Sequence, residues 1–193
     1  KYINAISQDK LRTKALDKDK YYRLDLAEGN LPISKKVLKT ANTLTESVLT
    51  SLPDRNSTIL KSKIAEFIRT KIDQISIFSG SDEIIELIPR MYLTSKNNAL
   101  VVTPTFNRLI STNLKVGASV IQYKLSKENS FELKGEDLEK IQNIIDKRHV
   151  KIVWLCTPNN PIGNILDINY IRKLALKNKN VLFIVDEVHQ EFY

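Results

Sequence analysis

Asp186 closes the apolar run Val181–Val185. A carboxylate at the end of such a run costs free energy unless a cation faces it or a cleft exposes it. Facing a pyridine nitrogen, it would keep that nitrogen protonated and let the ring act as an electron sink. Serving as a turn or helix cap is the alternative. Three residues on, His189 either hydrogen-bonds a ligand or is a satisfied surface imidazole, and Glu187 between them reads as structural. Asn159-Asn160-Pro161, completed by Gly163, is a rigid turn. Asn160 there either donates to a ring oxygen of a ligand or only closes an Asx turn.

The segment Ser79-Gly80-Ser81-Asp82-Glu83 opens a helical pattern. Gly80 lets the backbone approach a ligand closely. Ser81 and Asp82 bring backbone N–H groups and a hydroxyl to a helix start, where the dipole favours an anion such as phosphate. Taken alone, such a segment is more often a plain helix start capped by Ser79 or Ser81. An acidic Asp82 beside a phosphate requires a second polar group to face it. Phe106 follows a Pro-Thr turn and offers either a flat surface for stacking or ordinary core packing. Trp154 and Cys156 read as core residues, and His149 as solvated.

These groups need elements to hold them. Short apolar runs at Ile75–Phe78, Ala99–Thr103, Ser119–Tyr123, Val150–Cys156 and Val181–Val185 alternate with helical patterns at about 82–93, 106–115, 136–147 and 167–178. VKIVWLC and VLFIV are almost wholly apolar, as strands covered by helices on both faces are. The alternation predicts an α/β fold, a three-layer α/β/α arrangement around a mostly parallel sheet. Ligands of such sheets bind beyond the carboxyl ends of the strands, which is where the polar residues above fall. Upstream, Ser34 reads as an N-cap for one helical face through Val37, Leu38, Ala41, Leu44, Val48 and Leu49. Pro53-Asp54 breaks the chain before a second helix carrying Leu60, Ile64, Phe67 and Ile68. Pro89 is expected to kink the 82–93 helix or mark its tighter end. Residues 1–30 read as an N-terminal arm and residues 31–193 as the N-terminal part of a larger domain.

With 193 residues, 42% hydrophobic and 27% charged, the chain has globular composition. One cysteine excludes an intramolecular disulfide and fits a reducing compartment, so a cytoplasmic location is expected. No apolar run is long enough for a membrane-spanning helix. The net charge of +8 is spread along the chain among 22 acidic residues, so a solvated lysine-rich surface is expected rather than a nucleic-acid partner. G-x-G-x-x-G and the P-loop motif are both absent, which leaves a plain nucleotide-binding module without support.

The order of motifs, GSDEIIELIPR, PTF, TPNNPIGN, then VDEVHQEF, resembles the class I/II aminotransferases of fold-type I, with the histidinol-phosphate aminotransferase branch closest in look. The likeness covers roughly 23–193. It implies pyridoxal 5'-phosphate, PLP, as cofactor. Gly80, Ser81 and Asp82 would hold its phosphate and Phe106 would stack on its ring. Asn160 would bind its phenolic oxygen and Asp186 its pyridine nitrogen. The resemblance also implies a homodimer acting on an amino acid and a 2-oxo acid. Substrate contacts would come from Asn160 and from Gly29 and Asn30, which match an early family loop only loosely.

The chain departs from the family pattern at named positions. His189 stands where a tyrosine usually donates to the phenolic oxygen. Leu52-Pro53-Asp54 replaces a Tyr-Pro-Asp whose tyrosine reaches the neighbouring subunit's phosphate. The Schiff-base lysine and the arginine that grips the substrate carboxylate are expected beyond Tyr193, so the sheet would be incomplete without a C-terminal half. Alternatives on the same fold are a PLP-dependent lyase, cyclase or oxidase of amino acids, and a non-catalytic aminotransferase-like sensor domain.

Overall fold

The computed structural model describes residues 32–193; the expected arm, with Gly29 and Asn30, lies outside them. The described residues form two compact units that part between Ile77 and Phe78.

The first unit is helical. It contains α1 (Lys35–Ala41), α2 (Glu46–Thr50) and α3 (Thr58–Ile68), followed by a short 3-10 turn, Ile72–Gln74. The single helix expected from Ser34 to Leu49 is interrupted. Thr43 donates its hydroxyl to the Thr40 carbonyl at 2.7 Å, and Thr40 donates to the Lys36 carbonyl at 3.0 Å. Such bonds draw threonine away from helical continuation, and the chain turns at Asn42 and Thr43 before restarting after Thr45. Ser34 flanks α1 but makes no side-chain cap bond. The helix carrying Leu60, Ile64, Phe67 and Ile68 forms as expected. The run Ile75–Phe78 is not a strand, because it joins no ladder among the described residues. Its apolar residues follow a 3-10 turn and lead into the second unit, and an apolar run alone cannot distinguish a strand from a connection.

The second unit holds α4 (Ser81–Tyr92), β1 (Asn98–Thr103), α5 (Arg108–Lys115), β2 (Ser119–Lys124), α6 (Gly135–Lys147), β3 (Val150–Cys156), α7 (Ile168–Lys177) and β4 (Leu182–Asp186). All pairings are parallel, in the order β2-β1-β3-β4. The chain moves from β1 to β2 in one direction and then crosses back past β1 to place β3 on its other side. Right-handed crossovers in opposite directions put their helices on opposite faces. Two cores result. Leu100, Val102, Val153 and Leu155 pack with Ile141, Ile145, Ile171 and Leu174 of α6 and α7. On the other face, Ala99, Val101, Ile152 and Trp154 pack with Ile85 of α4 and Leu109 of α5. Alternate strand residues feed the two cores, as the period of two requires. Each large side chain so buried contributes about 1.5–3 kcal/mol.

Local signals agree with the elements. Asp167 accepts from the Asn169 amide at 2.8 Å at the start of α7, and Asp137 accepts from the Lys134 amide at 2.7 Å at the start of α6. Pro89 is buried in the last turn of α4, where the helix ends by Tyr92 and the Leu93 amide donates to the Pro89 carbonyl at 2.9 Å. It therefore marks the end region of the helix. The fold is α/β with a parallel sheet sandwiched by helices.

Candidate cofactor site at the carboxyl edge of the sheet

The strand order reverses between β1 and β3, and the crevice at such a switch point is where parallel sheets bind ligands. Residues following β1, β3 and β4 meet at this rim. Asp186 is the last residue of β4 and half-buried. By alternation with Leu182 and Ile184 it falls on the α4 face of the sheet. Its carboxylate accepts from the Val188 amide at 3.1 Å, so one oxygen is partly used in turning the chain.

Helix α4 begins after Gly80, whose φ of 82° and ψ of 170° belong to a backbone region open essentially to glycine. No side chain caps this helix. The capped start by Ser79 or Ser81 is therefore not what forms; instead Glu83 Oε2 accepts from the Ser79 amide at 2.6 Å. The first-turn N–H groups are left for another acceptor. Ser81 of this turn and Asp186 line one pocket of about 210 Å3, floored by Ile85, Trp154 and Ile184. A helix start suited to an anion and a carboxylate suited to a cation thus share one cleft. Phe106, Asn160 and His189 are not in that lining.

Asp82 has the polar partner it requires. Arg108 Nε lies 3.3 Å from Asp82 Oδ1, and Arg108 Nη2 lies 3.4 Å from Glu86 Oε2. The Nε contact is an ion pair by distance without hydrogen-bond alignment, since Nε is buried with no hydrogen-bond partner. Glu86 also meets Arg90 at 2.7 Å and Lys115 at 3.6 Å. The Arg90 hydrogen bond, with the charges of Lys115 and Arg108, holds the Glu86 carboxyl below the usual range. Arg108 thereby ties the first turns of α4 to the helix that follows Phe106.

Phe106 is half-buried and packs against the α4-face core, so at least part of its ring serves packing. The two amides of the Asn-Asn-Pro turn divide their work. Asn159 is buried and donates Nδ2 to the Pro104 carbonyl at 2.7 Å; its amide donates to the Asn164 carbonyl at 2.9 Å. Asn160 is half-buried, and its side-chain amide bonds nothing among the described residues. The turn-closing duty thus falls on Asn159. His189 precedes a short 3-10 turn, Gln190–Phe192, is half-buried, and has no side-chain cap bond.

Cys156 links these parts. It pairs in register with Asp186. Burial pushes its thiol above the ordinary range and the Asp186 charge adds to this, against the nearby Asn160 backbone and Thr105 side chain; Thr105 Oγ1 itself is buried without a hydrogen-bond partner. Thr105, Cys156, Asn160 and Asp186 are therefore neighbours. Thr105 and Arg108 were not legible as site neighbours from the sequence, since their contacts are made across elements. Trp154 and Cys156 are core residues as expected, with Trp154 Nε1 donating to Asn113 Oδ1 at 3.2 Å.

Residues 22–193 match the family described as aminotransferase class I and II, and the chain belongs to that family. It is 31% identical to a dihydroxyacetone phosphate transaminase of Campylobacter jejuni over 88% of this chain and 46% of the relative. It is 33% identical to a histidinol-phosphate aminotransferase of Listeria innocua over 90% of this chain and 46% of the relative. Among solved structures, substrate-bound BacF from Bacillus subtilis aligns with a TM-score of 0.77 at 23% identity, over 95% of this chain and 49% of that one. A histidinol-phosphate aminotransferase from Sinorhizobium meliloti, in complex with pyridoxal-5'-phosphate, aligns at 0.72 and 17% identity, over 82% and 41%. At these identities the structural matches establish the fold. The chain spans about half the length of the curated relatives it matches.

Proposed function

We propose that this chain supplies the PLP-binding part of an aminotransferase that moves an amino group from an amino acid to a 2-oxo acid. The observation that carries this reading is the cleft shared by Ser81, at an uncapped helix start, and Asp186, at the end of β4. A dianionic phosphate suits the first and a protonated ring nitrogen the second. Family membership and the named relatives support it.

When bound, the cofactor supplies an electron sink for the charge left as the substrate loses its α-proton. The residues of this chain have separate tasks. The N–H groups of Ser81 and Asp82 and the Ser81 hydroxyl hold the phosphate, with the glycine backbone at Gly80 allowing close approach. Arg108 offsets the Asp82 charge that would otherwise repel it. Asp186 keeps a proton on the ring nitrogen. Asn160 donates to the phenolic oxygen, joined there by His189, and the exposed part of the Phe106 ring covers the cofactor face. Every one of these residues lies in 78–193. A substrate role for Asn160, Gly29 and Asn30, and a homodimeric cytoplasmic enzyme, belong to the same reading. No described helix is long and apolar enough to cross a membrane.

The test is an absorption titration of the complete protein with PLP, followed by addition of amino acids. A cofactor band that forms on binding and changes with a substrate amino acid is expected, with formation of the matching 2-oxo acid. A protein that takes up no PLP overturns the reading.

A further inference from the structure

Asn159 is 6% exposed and sits in the loop that leaves β3, bonded to the loop that leaves β1 across the point where the strand order reverses. It holds both. Its Nδ2 reaches the Pro104 carbonyl at 2.7 Å, fifty-five positions away in the chain. Its own amide donates to the Asn164 carbonyl at 2.9 Å, and its carbonyl accepts from the Gly163 amide at 2.6 Å. Two residues past Pro104 stands Phe106; next to Asn159 stands Asn160. The side-chain oxygen of Asn159 is buried without a donor. Leaving such an atom unpaired is costly, so the side chain is not explained by its own stability alone. We propose that Asn159 is a positioning residue that fixes Asn160 relative to the Phe106 turn, so that the Asn160 amide meets the cofactor's phenolic oxygen.

This role rests on the PLP reading above and goes beyond it by adding a residue that touches no cofactor atom. A hydrogen bond to the phenolic oxygen stabilises its negative charge. Removing that bond makes the oxygen more basic and moves the acid–base midpoint of the bound cofactor's visible band upward. One hydrogen bond corresponds to a shift of about one pH unit.

Two measurements on the complete protein test the proposal. In spectroscopic pH titrations with PLP bound, Asn160→Ala and Asn159→Ala each move the midpoint up by about one unit. The double variant moves no further than Asn160→Ala alone, because Asn159 acts through Asn160. Without PLP, hydrogen exchange at Leu109 and Ile110, just past the Phe106 turn, and at Gly163 speeds by about tenfold or more in Asn159→Ala. Asn159→Ser, which keeps a small polar group but cannot span to Pro104, gives the same signs if the alanine variant fails to fold. A wild-type midpoint in a PLP-loaded Asn159 variant, or additive shifts in the double variant, overturns the proposal. So does exchange that changes at Gly163 alone. A wild-type protein that takes up no PLP overturns the underlying reading and this role with it, and that failure is recognised because it appears before any substitution is made.

Discussion

Cys156 and Asp186 are in-register neighbours on the adjacent parallel strands β3 and β4, each the last residue of its strand. The thiol is 3% exposed and the carboxylate half-buried. One strand end is therefore closed by a small side chain while the next opens into the pocket with Ser81. A carboxylate in this position meets limited solvent and has one backbone N–H, that of Val188, as its partner among the described residues. That leaves it suited to a cationic ligand group.

Asp186→Asn keeps the size and the Val188 contact but removes the charge. The fold and much of the PLP binding should persist, while loss of the substrate α-proton slows by about a hundredfold or more. Single-turnover absorption changes with a substrate amino acid measure this step. Turnover at the wild-type rate with PLP bound would show the carboxylate to be structural.

At Gly80 a Cβ would meet no atom within 4 Å, so space is not the constraint. The backbone is, since φ of 82° with ψ of 170° is strained for any L side chain. Gly80→Ala should destabilise by about 1–3 kcal/mol, or shift the start of α4 and weaken PLP binding. Denaturant unfolding and PLP titration distinguish the two; wild-type values in both would refute the account.

Much of this arrangement is legible in the sequence. Val150–Cys156 is a strand from end to end because a helix-covered strand is apolar on both faces. The four expected helices of the second unit form within two residues of their expected ends because each has one apolar stripe. Other features depend on distant partners. Nothing local says which of two adjacent asparagines reaches Pro104, and nothing before Arg108 announces that it will face Asp82 and Glu86. The run at 75–78 has the composition of a strand but no partner ladder among the described residues. The upstream helix breaks because threonine hydroxyls bond nearby carbonyls, which an apolar periodicity ignores.

Asn113 and Trp154 form a buried polar pair on the α4 face. Asn113 Nδ2 donates to the Leu109 carbonyl at 2.6 Å, and its oxygen accepts from the indole at 3.2 Å. Asn113→Leu leaves the indole N–H unpaired and crowds the site. It should cost about 2–3 kcal/mol, read as a lower midpoint in denaturant unfolding, with a change in tryptophan fluorescence. A neutral result would mean the indole finds another acceptor.

Tyr123 on β2 donates its hydroxyl to Asp137 Oδ1 at 2.5 Å, while the other carboxylate oxygen accepts from the Lys134 amide. Burial, the hydrogen bond to Asp137 and the charges of Asp137 and Glu136 all push the phenol well above its ordinary value of 10.0. The phenol is thus held neutral more strongly in the folded protein than in the unfolded chain. Its contribution to stability is fully present below about pH 10 and is lost as pH rises from there towards the folded-state value. The raised Cys156 thiol has the same sign, starting from its ordinary value of 9.0. Tyr123→Phe removes one titrating group and one hydrogen bond while keeping the ring in the core with Leu138 and Ile141. At neutral pH the variant should be less stable by about 1 kcal/mol. Its stability should then fall less steeply than wild type above pH 10, so that the two curves converge. Urea unfolding at several pH values from 7 to 11 measures this, and parallel curves across the alkaline range would show that the Tyr123–Asp137 bond does not hold the phenol neutral.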